Sequence, residues 1–167
     1  MSSFHISSVF LSVLRNPVTA LGLPLVLGMI SGPPTAKVNL RFPPGRPPRQ
    51  VFPIVWPLLY LSMGYASHLA VKSLDVFVSS SSRSALTLGI TLYYAQLGMN
   101  LAWSSLFLIQ DGFIMMAATT FYATKLFDGP TNSQSTYFLI PYCLWLCFAN
   151  YLGGAIWCLN RGRTKED

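Results

Sequence analysis

Long apolar stretches without charge alternate along this chain with short polar or Pro-rich breaks, and the stretches have the length of membrane spans. From Val51 to Val71 there is no Asp, Glu, Lys or Arg, and about 20 such residues in a helix rise roughly 30 Å, the hydrocarbon thickness of a bilayer. Five such helices are predicted, over about 10–31, 50–72, 85–109, 112–127 and 136–159. They make one all-α integral membrane domain, a bundle of five transmembrane helices over 1–167, with a Pro-rich basic loop at 32–49 and a polar tail at 161–167.

The breaks carry their own chemistry. Asn16 followed by Pro17 is a helix start, because Asn caps free backbone N–H groups and Pro costs nothing at the first helical position. Phe10 to Leu14 extend that first helix backwards, with Arg15 snorkelling to head groups and Pro24 kinking the interior. Gly28 and Gly32 form a small pair one turn apart that permits close helix contact. Pro33, Pro34, Pro43, Pro44, Pro47 and Pro48 keep the first loop out of regular helix. Ser79 to Ser84 reads as a polar turn, Asp111 with Gly112 as a tight reversal, and Asp128 to Gln134 as another turn. The start, MSSFHISSVFLSVLR, reads as an uncleaved interfacial lead-in, with a Ser-rich transit peptide as the alternative.

Composition sharpens this picture. Of 167 residues, 52% are hydrophobic and 10% charged, a balance that points to lipid as solvent. The net charge of +6 comes from Lys and Arg placed between apolar runs, without the aromatic-interleaved basic patch of a nucleic-acid binder. No nucleic-acid partner is expected. Across five spans, Arg15, Lys72, Arg83 and Lys125 fall on one side, and Lys37, Arg41, Arg46, Arg49, Arg161, Arg163 and Lys165 on the other. That excess puts the first loop and the C-terminus in the cytosol. Cys143, Cys147 and Cys158 read as small buried apolar residues rather than a disulfide or metal set.

Three helical faces stand out. Gln96, Asn100, Trp103 and Phe107 share one face of the third span; Trp56, Tyr60, Met63 and Ser67 share one in the second; Trp145, Ala149, Leu152 and Ile156 share one in the fifth. Turned inward, they line an aromatic cavity suited to a flat hydrophobic ligand. The alternative is that Gln96 and Asn100 bridge neighbouring helices and that the tryptophans fill core or interface, with His68 bridging likewise. No acidic residue lies centrally in a span, and no P-loop, metal cluster, catalytic triad or paired carboxylate is present in the sequence.

Three segments carry a family resemblance: RPPRQVFPIVWPLLYLSMGYASHLA, YYAQLGMNLAWSSLFL and PYCLWLCFANYLGGAIWCLN. With Pro24 and Gly28 in the first span, they make the chain resemble the translocator protein family, also called tryptophan-rich sensory proteins or peripheral-type benzodiazepine receptors. The resemblance implies a five-helix bundle, often a homodimer, in the mitochondrial outer membrane of eukaryotes, with the endoplasmic reticulum or another endomembrane as the alternative. It implies binding of porphyrins, sterols and synthetic aromatic ligands in a pocket under the first loop, beside membrane lipid. Trp56, Trp103, Trp145, Ala149 and Leu152 match pocket-lining positions, Asn100 matches the third-span amide, and Phe52 and Pro53 match entry positions. No cofactor and no metal are required; a porphyrin or haem-like molecule would be a ligand. Light-dependent porphyrin breakdown and a scaffold role in a membrane complex are the alternative functions. The chain departs from the family at Ala36, Lys37 and Gly45, where many members carry loop aromatics. It departs again at Gly154 and Cys158, which stand where the proposed sterol pattern has Tyr and a basic residue, and around Thr119 and Thr120, where an acidic residue is expected.

Overall fold

Asn16 does what its position before Pro17 predicts: its Oδ1 accepts the Val18 amide at 2.9 Å and caps the helix that follows. In the computed structural model, which describes residues 6–31, 41–76, 79–102 and 110–160 with the side chains of 110–113 excepted, that helix is α2, Pro17–Ser31. A shorter helix α1, Ser8–Arg15, precedes it. A 3-10 turn at Arg49–Val51 leads into α3, Phe52–Val76. Then come α4, Ser80–Leu101, α5, Gln110–Asp128, and α6, Gln134–Asn160. Among the described residues the fold is all-helical. The stretches Arg49–Val76 and Gln134–Asn160 are each long and apolar enough to cross a membrane, and the bent pair α1–α2 adds a third candidate.

That bend corrects one expectation. Phe10 to Leu14 do not continue α2 in line; the chain turns by 102° at Asn16. Arg15 does not snorkel outward but grips Asp75 at the end of α3, with Nε and Nη2 on the two carboxylate oxygens at 2.9 and 2.8 Å. His68 donates from Nδ1 to the Leu14 carbonyl at 2.8 Å, since a carbonyl only accepts. Tyr94 donates to the Phe10 carbonyl at 2.8 Å, and the Phe10 and Tyr94 rings meet at 4.9 Å. Three contacts from two helices therefore pin α1 crosswise. Both partners of the Arg15–Asp75 pair are over two-fifths exposed, so Arg15→Ala is expected to cost no more than about 1 kcal/mol in thermal unfolding. A larger loss would mean that this pair, rather than His68 and Tyr94, holds α1.

Helix α3 is the hub, packed against α1, α2, α4 and α6, while α5 lies between α4 and α6 and α2 also touches α4. Small residues set these approaches. Gly64 sits against the backbone of Ala20 and Leu21, and Gly28 against the ring of Tyr60, so α2 and α3 meet almost backbone to backbone. Gly32 of the small pair lies outside the described residues. Arg83 donates from Nη1 to the Leu74 carbonyl at 3.0 Å, supplying a partner for a carbonyl in the last turn of α3 from the start of α4.

Two further expectations change. Asp111 and Gly112 make no reversal: α5 starts at Gln110 and includes both. Nor do Ser79 to Ser84 make a turn, since α4 already starts at Ser80; it runs to Leu101, and residues 103–109 of the expected third span lie outside the described residues. The turn at 128–134 does form, with Asn132 and Ser133 at positive φ (48° and 63°). Asp128 accepts from Thr136 at 2.7 Å, and the hydroxyls of Thr136 and then Ser133 hold its carboxyl below the usual range.

Candidate functional site

The second-span stripe falls inward as its spacing predicts. Tyr60, Met63 and Ser67 are buried and Trp56 is half-buried. At the start of α3, Phe52 and Trp56 meet Trp145 of α6. Phe52 and Trp145 pack edge-on at 5.8 Å, Trp56 and Trp145 edge-on at 6.2 Å, and Trp56 stacks on Tyr60 at 5.5 Å. Such edge and offset contacts place the positive rim of one ring against the negative face of the next. Phe148 extends the cluster along α6, its ring 5.7 Å from Trp145.

Of the predicted site residues, Phe52, Trp56 and Trp145 come together in one ring cluster. Pro53, exposed, flanks it on α3. Ala149 is half-buried and Leu152 buried on the following turns of α6, on the same stripe as Trp145. Trp103 and Phe107 lie outside the described residues. Asn100 is buried deeper and joins the cluster through Tyr60, whose hydroxyl reaches Asn100 Oδ1 at 3.4 Å.

Below the rings, Asn100 Nδ2 donates to the Tyr142 hydroxyl at 2.8 Å, and Gln96 Nε2 donates to the same oxygen. Of the two readings open for these amides, bridging between helices is what the structure has: α4 is tied to α6 through Tyr142. The faces of α3, α4 and α6 therefore meet at this level. A cavity between Met63, Tyr93, Gln96, Thr120, Ala123, Phe127 and Leu139 measures about 10 Å³, room for one water at most. His68 likewise bridges, to Leu14. Cys143 is buried beside Thr124 (3.6 Å), but Cys147 and Cys158 are exposed, correcting the expectation that all three are core.

One polar atom at the aromatic end is left over. The Trp145 indole N–H is buried and finds no acceptor among the described residues. A buried donor without a partner costs about 1–3 kcal/mol, so an incoming acceptor there gains more than it would at a satisfied site. The stripe spacing passes over Tyr142 and Phe148, although Tyr142 stands one turn before Trp145 and Phe148 one turn after it on the same helix.

Apolar helices long enough to span and glycine-mediated helix contacts define an all-helical membrane protein. The chain belongs to the TspO/MBR family, whose profile matches residues 20–158. It is 35% identical to the translocator protein homolog of Schizosaccharomyces pombe, over 91% of this chain and 96% of that protein. It is 36% identical to the translocator protein of Ovis aries, over 76% of each. The tryptophan-rich protein TspO of Chlorobaculum tepidum is 30% identical over 84% of this chain and 92% of its own length.

Proposed function

We propose that this protein crosses the membrane five times and encloses a flat hydrophobic ligand, a porphyrin before a sterol, between the aromatic faces of α3 and α6. The observation that carries this reading is the ring cluster of Phe52, Trp56 and Trp145 together with the unsatisfied Trp145 N–H. Rings present apolar planes for stacking, and the indole N–H supplies one directional donor for a carboxylate or carbonyl of the ligand. Ala149 and Leu152 continue the apolar wall, while Asn100 holds Tyr60, on which Trp56 stacks. Sterols rank second because Gly154 and Cys158 replace the residues of the sterol pattern. The outer mitochondrial membrane is the placement that the family resemblance implies, and the charge distribution supports a first loop and tail in the cytosol. In this setting the protein hands on or senses tetrapyrroles or lipids, as a monomer or a homodimer.

Quenching of tryptophan fluorescence by protoporphyrin, corrected for absorption, tests the reading. Saturable binding is expected, weakened about tenfold by Trp145→Phe, which keeps an aromatic ring and removes the donor. Equal affinity in parent and Trp145→Phe would place the ligand elsewhere.

A further inference from the structure

We infer that Asn160 is a positioning residue that straps segment 41–51 along the last turns of α6 and thereby limits access to the aromatic site. The inference rests on the ligand-binding reading for what the site holds, and on geometry for the strap itself. Helices α3 and α6 run antiparallel: Ser135 Oγ donates to the Ala66 carbonyl at 2.9 Å, Ser62 Oγ to the Phe138 carbonyl, and Phe52 packs on Trp145. Helix α3 therefore begins near the level of Trp145. From there to Asn160, α6 rises about 22 Å further. Ala149, Leu152, Ile156 and Asn160 lie on that extension and on the stripe begun by Trp145. Above its first turn, α3 cannot cover this stripe.

Segment 41–51 is pinned at both ends of it. At the lower end it passes into Phe52, against Trp145. At the upper end the Asn160 side chain closes a two-way clamp on Arg41: Oδ1 accepts the Arg41 N–H at 3.0 Å and Nδ2 donates to the Arg41 carbonyl at 3.0 Å. Nδ2 also donates to the Ile156 carbonyl at 2.7 Å, which fixes the amide's orientation. Only a neutral amide offers donor and acceptor in this geometry; aspartate loses the donor and leucine loses both. The strap between the pins is braced. Pro43 is buried, Gly45 turns the chain at φ 86°, Pro47 and Pro48 restrict the backbone, and the Arg46 guanidinium sits 3.7 Å over the Phe42 ring. A stiff segment held at two points moves as one piece when either point is freed, so loss of the Asn160 clamp uncovers Leu152 and Ala149.

The test is thiol labelling at the covered stripe. In full-length protein carrying Cys147→Ser and Cys158→Ser, Leu152→Cys is reacted with a water-soluble maleimide, and the buried Cys143 reports whether the bundle stays folded. Adding Asn160→Leu is expected to raise the labelling rate at position 152 about tenfold, and Asn160→Asp to raise it by less, with Cys143 unlabelled throughout. Protoporphyrin should leave the Asn160→Leu protein faster by a similar factor. Equal labelling at position 152 with and without Asn160→Leu overturns the strap, as does labelling of Cys143 in step with it. Faster labelling with an unchanged porphyrin off-rate overturns its control of the site. If the parent protein binds no protoporphyrin, the ligand reading falls and the labelling rates still decide the strap.

Discussion

Gly64→Ala is expected to destabilise the protein by about 3 kcal/mol, against the trend that alanine favours helices over glycine by about 1 kcal/mol. The reason is what the new methyl would meet. A Cβ at Gly64 would lie 2.8 Å from Leu21 Cα and against the Ala20 carbonyl. Both are backbone of α2, which cannot rotate away as a side chain would. Either the helices separate, losing packing along the whole α2–α3 seam, or α2 bends. Gly98→Ala is the control, because a Cβ there meets nothing within 4 Å. That change should be neutral or stabilise by up to about 1 kcal/mol. Unfolding of both variants in mixed detergent, followed by circular dichroism, gives the comparison. Equal stability of the two would mean that α2 and α3 are further apart than the structure has them.

Tyr142→Phe is expected to cost about 2 kcal/mol while preserving the ring and its volume. The hydroxyl is the shared acceptor of Gln96 and Asn100, and all three residues are buried. Removing it leaves two amide donors without that partner, at about 1–3 kcal/mol each in an aqueous reference state. Membrane-embedded polar pairs measure less, because the separated helices find partners too. The lower figure is therefore the better expectation. A triple variant with Gln96→Leu, Asn100→Leu and Tyr142→Phe should recover part of the loss, since it removes both donors and their shared acceptor together while taking from the Tyr60 hydroxyl its 3.4 Å acceptor. The same detergent unfolding series tests this; a triple variant no more stable than Tyr142→Phe would show that the hydroxyl is not the amides' shared partner. Because Asn100 also holds Tyr60, which stacks on Trp56, the single change should loosen the aromatic site as well.

The polar and aromatic layers are thus mechanically joined, a point that helical spacing hints at without stating. Spacing placed Gln96 and Asn100 on one face and Trp145 on another, and left open whether they border a hollow or hold each other. The answer needed Tyr142, whose hydroxyl reaches both amides from a different helix. The same holds for Arg15. Its place beside an Asn-Pro pair reads as a helix end near head groups, yet its partner, Asp75, lies at the far end of α3. Asn160 closes a sequence motif without an evident task of its own, and its partner, Arg41, is remote in the chain.

By itself the sequence determined the all-helical class, the apolar segments, the Asn16 cap, the turn at 128–134, the inward stripe of α3 and membership of the family. These depend on contacts within about four residues or on apolar length, which a linear reading contains. Only the tertiary structure decided the 102° turn at Asn16, the helical course through Asp111 and Gly112, and the exposure of Cys147 and Cys158. It also decided the partners of Arg15, Gln96, Asn100 and Asn160. Each of these depends on which helix lies opposite, and helix pairing is chosen by shape and hydrogen bonding between residues far apart in the chain.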